Sequence, residues 1–417
     1  MYDLAVAWDW LAFAVRWLHV ITAIAWIGAS FYFIALDLGL RKAPDLPKGA
    51  YGEEWEVHGG GFYHTTKYLV APDRLPEHLT WHKWQSYWTW LSGAALLAIV
   101  YWAGAELYLI DPEKADLATW QAIALSAGFI AVGWIGYDAL CRSPLKSNPT
   151  AVMLVLFAGI VAASWALNQV FTGRAALLHL GAMTATIMTA NVFFVIMPNQ
   201  RIVVADLKAG RTPDAKYGQI AKLRSTHNNY LTLPVLFLML SNHYPLAFGT
   251  EAAWIIAALV FLLGVTIRHY FNTLHATGEG PVWTWGATAV LFVVIMWLST
   301  APLFDGDYDA VEEAEMTPAA LRFAEAPGFE TASDAVLARC SMCHAREPVW
   351  DGLLWAPKGV HLETPQDIAS QARQVYYQSG VSHAMPPGNL TGMTREERAA
   401  IRDWFRAAGG MAMAASD

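Results

Sequence analysis

The sequence predicts an all-α protein: a polytopic membrane bundle of eight transmembrane helices, built as two four-helix repeats, followed by a small helical domain in water. Three observations carry that expectation. The chain is 55% hydrophobic and holds 20 tryptophans in 417 residues, too apolar and too aromatic for an ordinary soluble protein. Its apolar residues fall into runs long enough to cross about 30 Å of hydrocarbon, which takes about 20 residues of helix. Past residue 302 the composition turns acidic and Ala/Pro-rich, then amphipathic, so the chain leaves the bilayer there. The expected units are 1–302 in the membrane, a solvated linker over 303–328, and a terminal domain over 329–417.

Eight runs qualify as spans: 12–36, 85–107, 119–141, 151–170, 175–197, 230–244, 252–270 and 282–301, the sixth being short and carrying Pro234. Arg41, Lys42, Lys48, Lys67, Arg74 and Lys83 follow the first span; Arg142 and Lys146 follow the third. Arg201, Lys208, Arg211, Lys216, Lys222 and Arg224 follow the fifth, and Arg268 ends the seventh, whereas the opposite connections hold only Lys114 and Arg174. The basic side is cytoplasmic by the positive-inside rule, which puts both termini in the periplasm of a bacterial inner membrane. With Asp3, Asp9 and no basic n-region, the N-terminus does not read as a cleaved signal peptide.

The membrane part reads as duplicated. Leu178-His179-Leu180 repeats Leu18-His19-Val20, His227 before the sixth span matches His82 before the second, and Gly133 to Asp138 can be laid against Gly264 to His269. In the connection after the first span, alternation over Phe62 to Val70 predicts a short hairpin on the cytoplasmic face. Gly59 to Gly61 does not match a phosphate loop. The net charge of −8 and the lack of a basic block exclude nucleic acid, leaving the lipid bilayer as the partner that composition names.

In the terminal domain, Thr331-Ala332-Ser333 predicts a helix start, Thr364-Pro365 caps a second helix, and Thr394 with Glu397 makes a capping box for a third. The first of these leads into Cys340-Ser341-Met342-Cys343-His344. Two thiols three apart with a histidine at once after them suit a haem held covalently through both vinyl groups and ligated by the adjacent imidazole. A zinc half-site would need two more ligands, and the third cysteine, Cys141, lies far upstream in an apolar run; a redox dithiol would sit in a strand–helix alternation that is absent. The domain is therefore expected to be a small c-type cytochrome with one haem c, bound by Cys340 and Cys343 and ligated by His344. Met385, stiffened by Pro386 and Pro387, is the expected second iron ligand, with Met393, His383 and His361 as rivals. Covalent haem attachment occurs outside the bacterial cytoplasm, which agrees independently with a periplasmic C-terminus.

Ionisable groups within a membrane carry a functional expectation. His19 and His179 occupy matching places in the two repeats, and as a pair they are candidate ligands of a haem b. The bland alternative is that each is a helix-interface histidine bonded to a neighbouring carbonyl or hydroxyl. His82, a further candidate cofactor-binding residue, and His227 fall at the cytoplasmic rim, where an interfacial role is the plain reading. Yet Arg224-Ser225-Thr226-His227-Asn228-Asn229-Tyr230 gathers a cation, a titratable group, amides and an aromatic within seven residues. Arg224, His227 and Asn228 are the candidate catalytic residues there, suited to a planar, anionic molecule rich in carbonyls. A polar helix start is the competing reading.

Three stretches carry a family resemblance: Arg16-Trp17-Leu18-His19-Val20-Ile21-Thr22-Ala23-Ile24-Ala25-Trp26-Ile27-Gly28, Asn191 to Arg201, and Arg224 to Pro234. With the terminal Cys340–His344 motif, the chain resembles the bacterial membrane urate oxidases fused to a cytochrome c. The resemblance implies oxidation of urate with water to 5-hydroxyisourate, without obligatory peroxide. Electrons would pass through the haem to a soluble or membrane cytochrome c or a terminal oxidase. Two other classes compete: a quinol-oxidising respiratory carrier, marked by haem reduction with quinol and not urate, and a transporter with the cytochrome as redox sensor, marked by flux independent of haem reduction.

Overall fold

A computed structural model describes residues 4–68, 76–300, 316–353 and 356–414. It is mostly helical. α1 (Leu4–Gly39) leads into a two-stranded hairpin, β1 (Ala50–His58) and β2 (Gly61–Tyr68). There follow α2 (Trp84–Leu96), prolonged by a wide π turn over Leu97–Trp102, α3 (Ala105–Tyr108), α4 (Thr119–Arg142) and α5 (Pro149–Val170). α6 (Gly173–Ala190) continues through a second wide turn, Asn191–Ile196, into α7 (Met197–Lys208), and α8 (Ala215–Ser241), α9 (Ala253–Thr277) and α10 (Trp283–Thr300) complete the bundle.

Six of these runs are long and apolar enough to cross a membrane by length and composition, namely Val6–Gly39, Thr119–Arg142, Pro149–Val170, Gly173–Lys208, Ala253–Thr277 and Trp283–Thr300. The chain is a multi-pass membrane protein on that ground. α2 and α8, expected as the second and sixth spans, fall outside the six. α2 with its wide turn opens on Trp84-Gln85-Ser86-Tyr87, which dilutes the apolar half that follows. α8 begins fifteen residues before its expected start, because Asp214 caps it through Lys216 N–H (2.9 Å), and its first half is polar.

α6 is the buried centre of the bundle, packed against α4, α5 and α8, while α9 contacts α1, α5, α8 and α10. Leu109, Leu167, Phe171, Leu177, Leu180 and Leu238 are fully buried around it. The large apolar side chains left exposed, such as Trp17 and Ile24 on α1, Val132 and Ile135 on α4, and Val290 and Trp297 on α10, make the surface that lipid covers. The two glycines that the expected repeat would align both serve close approach. A Cβ on Gly133 would come within 2.2 Å of Met183 on α6, and one on Gly264 within 2.5 Å of the Pro234 ring on α8. Pro234, which cannot donate to the helix, is seated where α9 has no side chain to obstruct it.

The hairpin lies earlier than the alternation over 62–70 indicated. β1, with acidic Glu54 and Glu56 alternating with Trp55 and Val57, pairs antiparallel with β2, and Gly59 and Gly60 turn between them with φ of +62° and +81°. Residues 69 and 70 of the expected strand lie outside the described residues. The hairpin is tied to α1 by Tyr32 Oη–H donating to Glu56 (2.6 Å) and by Lys67 pairing with Asp37.

The acidic residues Asp305, Asp307, Asp309, Glu312, Glu313 and Glu315 of the expected linker also lie outside the described residues. Its second half is not linker: α11 (Pro318–Ala324), capped by Thr317, packs on the C-terminal unit. That unit comprises α12 (Phe329–His344), α13 (Pro365–Ser370), α14 (Ala372–Val375) and α15 (Arg395–Ala414). Thr364 and Asp367 form a reciprocal cap on α13, and Thr394 and Glu397 do the same at the start of α15. Trp404, Tyr376, Ile368, Ile401 and Val336 fill the core. The unit rests on the bundle end opposite the hairpin, where Arg322 pairs with Glu106 (2.8 Å), Arg373 with Asp9 (3.3 Å), and Gly359 abuts Pro245.

Candidate functional site

At the hairpin end of the bundle, the polar stretch of α8 is buried rather than left at a rim. Arg224, His227, Asn228 and Asn229 are at most 6% exposed. Unpaired polar groups at such depth cost several kcal/mol each, about 2–7 by transfer, so partners must be supplied. α4 and α6 supply them. Arg224 Nη2 pairs with Asp138 (2.7 Å), which also takes Arg142 (2.7 Å), and Arg224 Nη1 donates to Asn191 Oδ1 (3.1 Å). Asn191 Nδ2 lies 3.0 Å from Tyr137 Oη and 2.9 Å from Asn228 Oδ1, and Asn228 in turn donates to the Met188 carbonyl (2.9 Å). His227 Nδ1 meets Tyr137 Oη at 2.8 Å, and the Arg224 guanidinium lies 4.9 Å from the Tyr137 ring centre.

The three candidate catalytic residues are thus brought into one network. Three members were missed: Tyr137, Asp138 and Asn191. Tyr137 and Asp138 lie in the very segment aligned with Gly264–His269, and Asn191 starts the wide turn that joins α6 to α7. A π turn in an apolar helix is a recurrent mark of function, but it leaves no pattern in sequence. The opposite face of α8 meets α9, where Arg268 Nε donates to Asn229 Oδ1 (3.2 Å), Arg268 Nη2 to Asn272 Oδ1 (2.8 Å), and Asn272 Nδ2 to Asn229 Oδ1 (2.9 Å).

The remaining membrane histidines stand apart from this network. His82 is exposed and packs edge-on against Phe33 (4.8 Å). His19 turns toward α2, with Nδ1 near the Thr89 carbonyl (3.0 Å) and Ser92 Oγ (3.1 Å), while Gly93 leaves room for its ring. His179 turns toward α4: Nε2 meets Ser126 Oγ (2.7 Å), Nδ1 meets the Ala175 carbonyl (2.7 Å), and Trp102 Nε1 donates to the same Ser126 (2.9 Å). Neither histidine shares a partner with the other. Both nitrogens of His179 are engaged, so this arrangement does not fit a haem shared by the pair.

In the C-terminal unit, Cys340, Cys343 and His344 occupy the last turns of α12. His344 Nδ1 is bonded to the Val360 carbonyl (2.8 Å), which fixes the tautomer and leaves Nε2 as the ligating nitrogen. Burial pushes the Cys340 thiol up to about 12 and raises Cys343 as well. A reactive dithiol would instead have a lowered value. Met385 is half-buried on a loop gripped by Arg398, whose Nη1 donates to the Met385 carbonyl (2.9 Å) and the Ser379 carbonyl (2.6 Å) and whose Nη2 donates to Asn389 (3.0 Å). Met393 is buried in the core, His383 is exposed, and His361 is half-buried with its value lowered, chiefly by burial. Among the described residues, no three His, Cys, Asp or Glu side chains gather as an ion site. The Cys340 and Cys343 thiols and the oriented His344 imidazole, on the last turns of α12, are a set that would fit a covalently attached porphyrin.

Residues 5–299 match the family model described as urate oxidase N-terminal. No curated protein and no solved structure matches the chain.

Proposed function

The chain belongs to the urate oxidase N-terminal family, and on that premise we propose that it oxidises urate to 5-hydroxyisourate in the membrane and hands the electrons to a covalent haem c at its C-terminus. The family match over the whole bundle is the observation that carries this reading. The reaction balances as urate monoanion plus water giving 5-hydroxyisourate, one proton and two electrons. Six apolar helices together with α2 and α8 would make eight crossings in a bacterial inner membrane. The basic hairpin end then faces the cytoplasm, and both termini face the periplasm. The seat of the C-terminal unit on the end opposite the hairpin supports that orientation.

The polar network supports this reading by holding a proton acceptor in place. On the α4-facing side of α8, His227, with Nδ1 held by Tyr137, leaves Nε2 to accept the proton that the reaction releases, and Arg224 and Asn228 hold Tyr137 and Asn191 around it. Cys340 and Cys343 would attach the haem, with His344 and Met385 as iron ligands, and the bound group would accept electrons one at a time. Arg398 fixes the Met385 loop. A soluble or membrane cytochrome c or a terminal oxidase would take the electrons onward.

The test is turnover in membranes under argon with added oxidised cytochrome c. Urate loss matched by two equivalents of reduced cytochrome, with no peroxide, is the expected outcome. Urate consumption that requires oxygen and yields peroxide stoichiometrically would overturn the electron route, and quinol-driven reduction without urate turnover would move the protein to the class of respiratory carriers.

A further inference from the structure

The two buried arginines of the bundle differ in one respect. Arg224 has its counter-charge in Asp138, 2.7 Å away. Arg268, 7% exposed, has none: among the described residues its partners are the amide oxygens of Asn229 and Asn272 and the Phe31 ring, 4.2 Å from its guanidinium carbon. An unpaired cation in a membrane span is costly and is retained where it meets an ion or substrate.

A second observation points the same way. Asn229 is fully buried, and its Nδ2 has no hydrogen-bond partner. The orientation of that amide is not arbitrary, since Arg268 Nε and Asn272 Nδ2 can only donate and both face Asn229 Oδ1. Nδ2 is therefore a donor left waiting for an acceptor. A full positive charge, an orphan amide donor and an apolar aromatic face converge between α1, α8 and α9, with Tyr230 and His269 in contact nearby (3.5 Å). That set matches a flat organic anion bearing carbonyl oxygens.

We propose that Arg268, Asn229 and Asn272 form the anion-binding site of the bundle and that its ligand is the urate monoanion. The identity of the ligand rests on the reading of the protein as a urate oxidase. The site itself rests on the unpaired charge. The repeat explains how the two sides diverged: Tyr137 and Asp138 on α4 align with Arg268 and His269 on α9, so one side carries its own carboxylate and the other leaves that place to the ligand.

The experiment is equilibrium dialysis of the full-length protein in detergent, with the haem reduced by dithionite so that turnover is blocked. Labelled urate and labelled orotate, a planar carboxylate outside the purines, are the two probes. Arg268→Gln removes the charge, Arg268→Lys keeps it, and Asn272→Asp places a carboxylate beside the arginine. The expected result is urate binding weakened about 10- to 100-fold in Arg268→Gln and in Asn272→Asp, with much of it kept in Arg268→Lys. An unaltered elution profile and thermal unfolding midpoint in detergent report folding of the bundle in each variant, and because two variants act by opposite chemistry, failure of one to fold leaves the other decisive. Orotate binding that depends on Arg268 without urate binding would uphold the site and overturn urate as its ligand. Unchanged binding in Arg268→Gln or Asn272→Asp, or no binding of either anion to the unaltered protein, would overturn the site.

Discussion

Asp138→Asn strips the counter-charge from Arg224 and leaves a guanidinium 4% exposed facing only neutral amide oxygens, that of the substituted side chain and Asn191 Oδ1. Removing one partner of a buried pair costs about 3–5 kcal/mol, and the low end applies here because Asp138 is 17% exposed and water can reach it. The second partner, Arg142, is 70% exposed and adds about 0–1 kcal/mol. Asp138→Asn is therefore expected to destabilise the bundle by about 3 kcal/mol. Combining it with Arg224→Gln relieves the stranded charge, and the double variant should lie closer to the unaltered protein than either single one. A double-mutant cycle from equilibrium unfolding in mixed detergent should give a coupling of at least about 2 kcal/mol. Strictly additive losses would refute the view that Arg224 is neutralised internally, and with it the contrast drawn with Arg268.

Other expectations follow from the same contacts. Met385→Ala should alter the haem c spectrum and lower its potential, and an unchanged spectrum would move the second ligand to Met393 or His383. Arg398→Ala should broaden or partly abolish the same spectral signature by freeing the loop, and an unaffected spectrum would deny it a positioning role. Gly264→Ala forces a methyl within 2.5 Å of the Pro234 ring and should cost about 1–3 kcal/mol in unfolding assays, whereas Gly286→Ala, with open space around it, should cost little. Burial works to raise the Glu397 carboxyl, but its pairing with Arg339 and its cap on Thr394 outweigh that and hold it below its ordinary value. Its contribution to stability is thus present above the ordinary carboxylate range and is lost as pH falls through the depressed value. An acid titration of the C-terminal unit should show less of this loss in Glu397→Gln, and identical acid profiles would refute the assignment.

Much of the architecture was legible because the bilayer forces long apolar runs. α4, α5, α9 and α10 lie within a few residues of the runs read from the sequence, except where α9 runs on to Thr277. α8 was misjudged at its start, since apolar counting cannot see a polar half-helix that is buried through paired side chains. The hairpin was half-read, because the alternation of β1 runs over only Glu54 to Val57, after Gly52 and Glu53. In the site, Arg224, His227 and Asn228 were visible as a dense polar run. Tyr137, Asp138 and Asn191 were not, because they lie sparsely in otherwise apolar helices, and only tertiary packing brings them to α8. His19 and His179 show the limit of repeat reasoning: equivalent positions face different helices, α2 and α4.

Electrons from urate are expected to reach a haem held by Cys340, Cys343 and His344. An anaerobic difference spectrum of the purified, oxidised protein before and after adding urate tests that transfer directly, with a pyridine haemochrome assay to identify the haem. The expected result is a covalent c-type haem that becomes reduced on urate addition, at a rate that falls sharply in His227→Ala. A haem that stays oxidised with urate, yet is reduced promptly by a quinol, would contradict it.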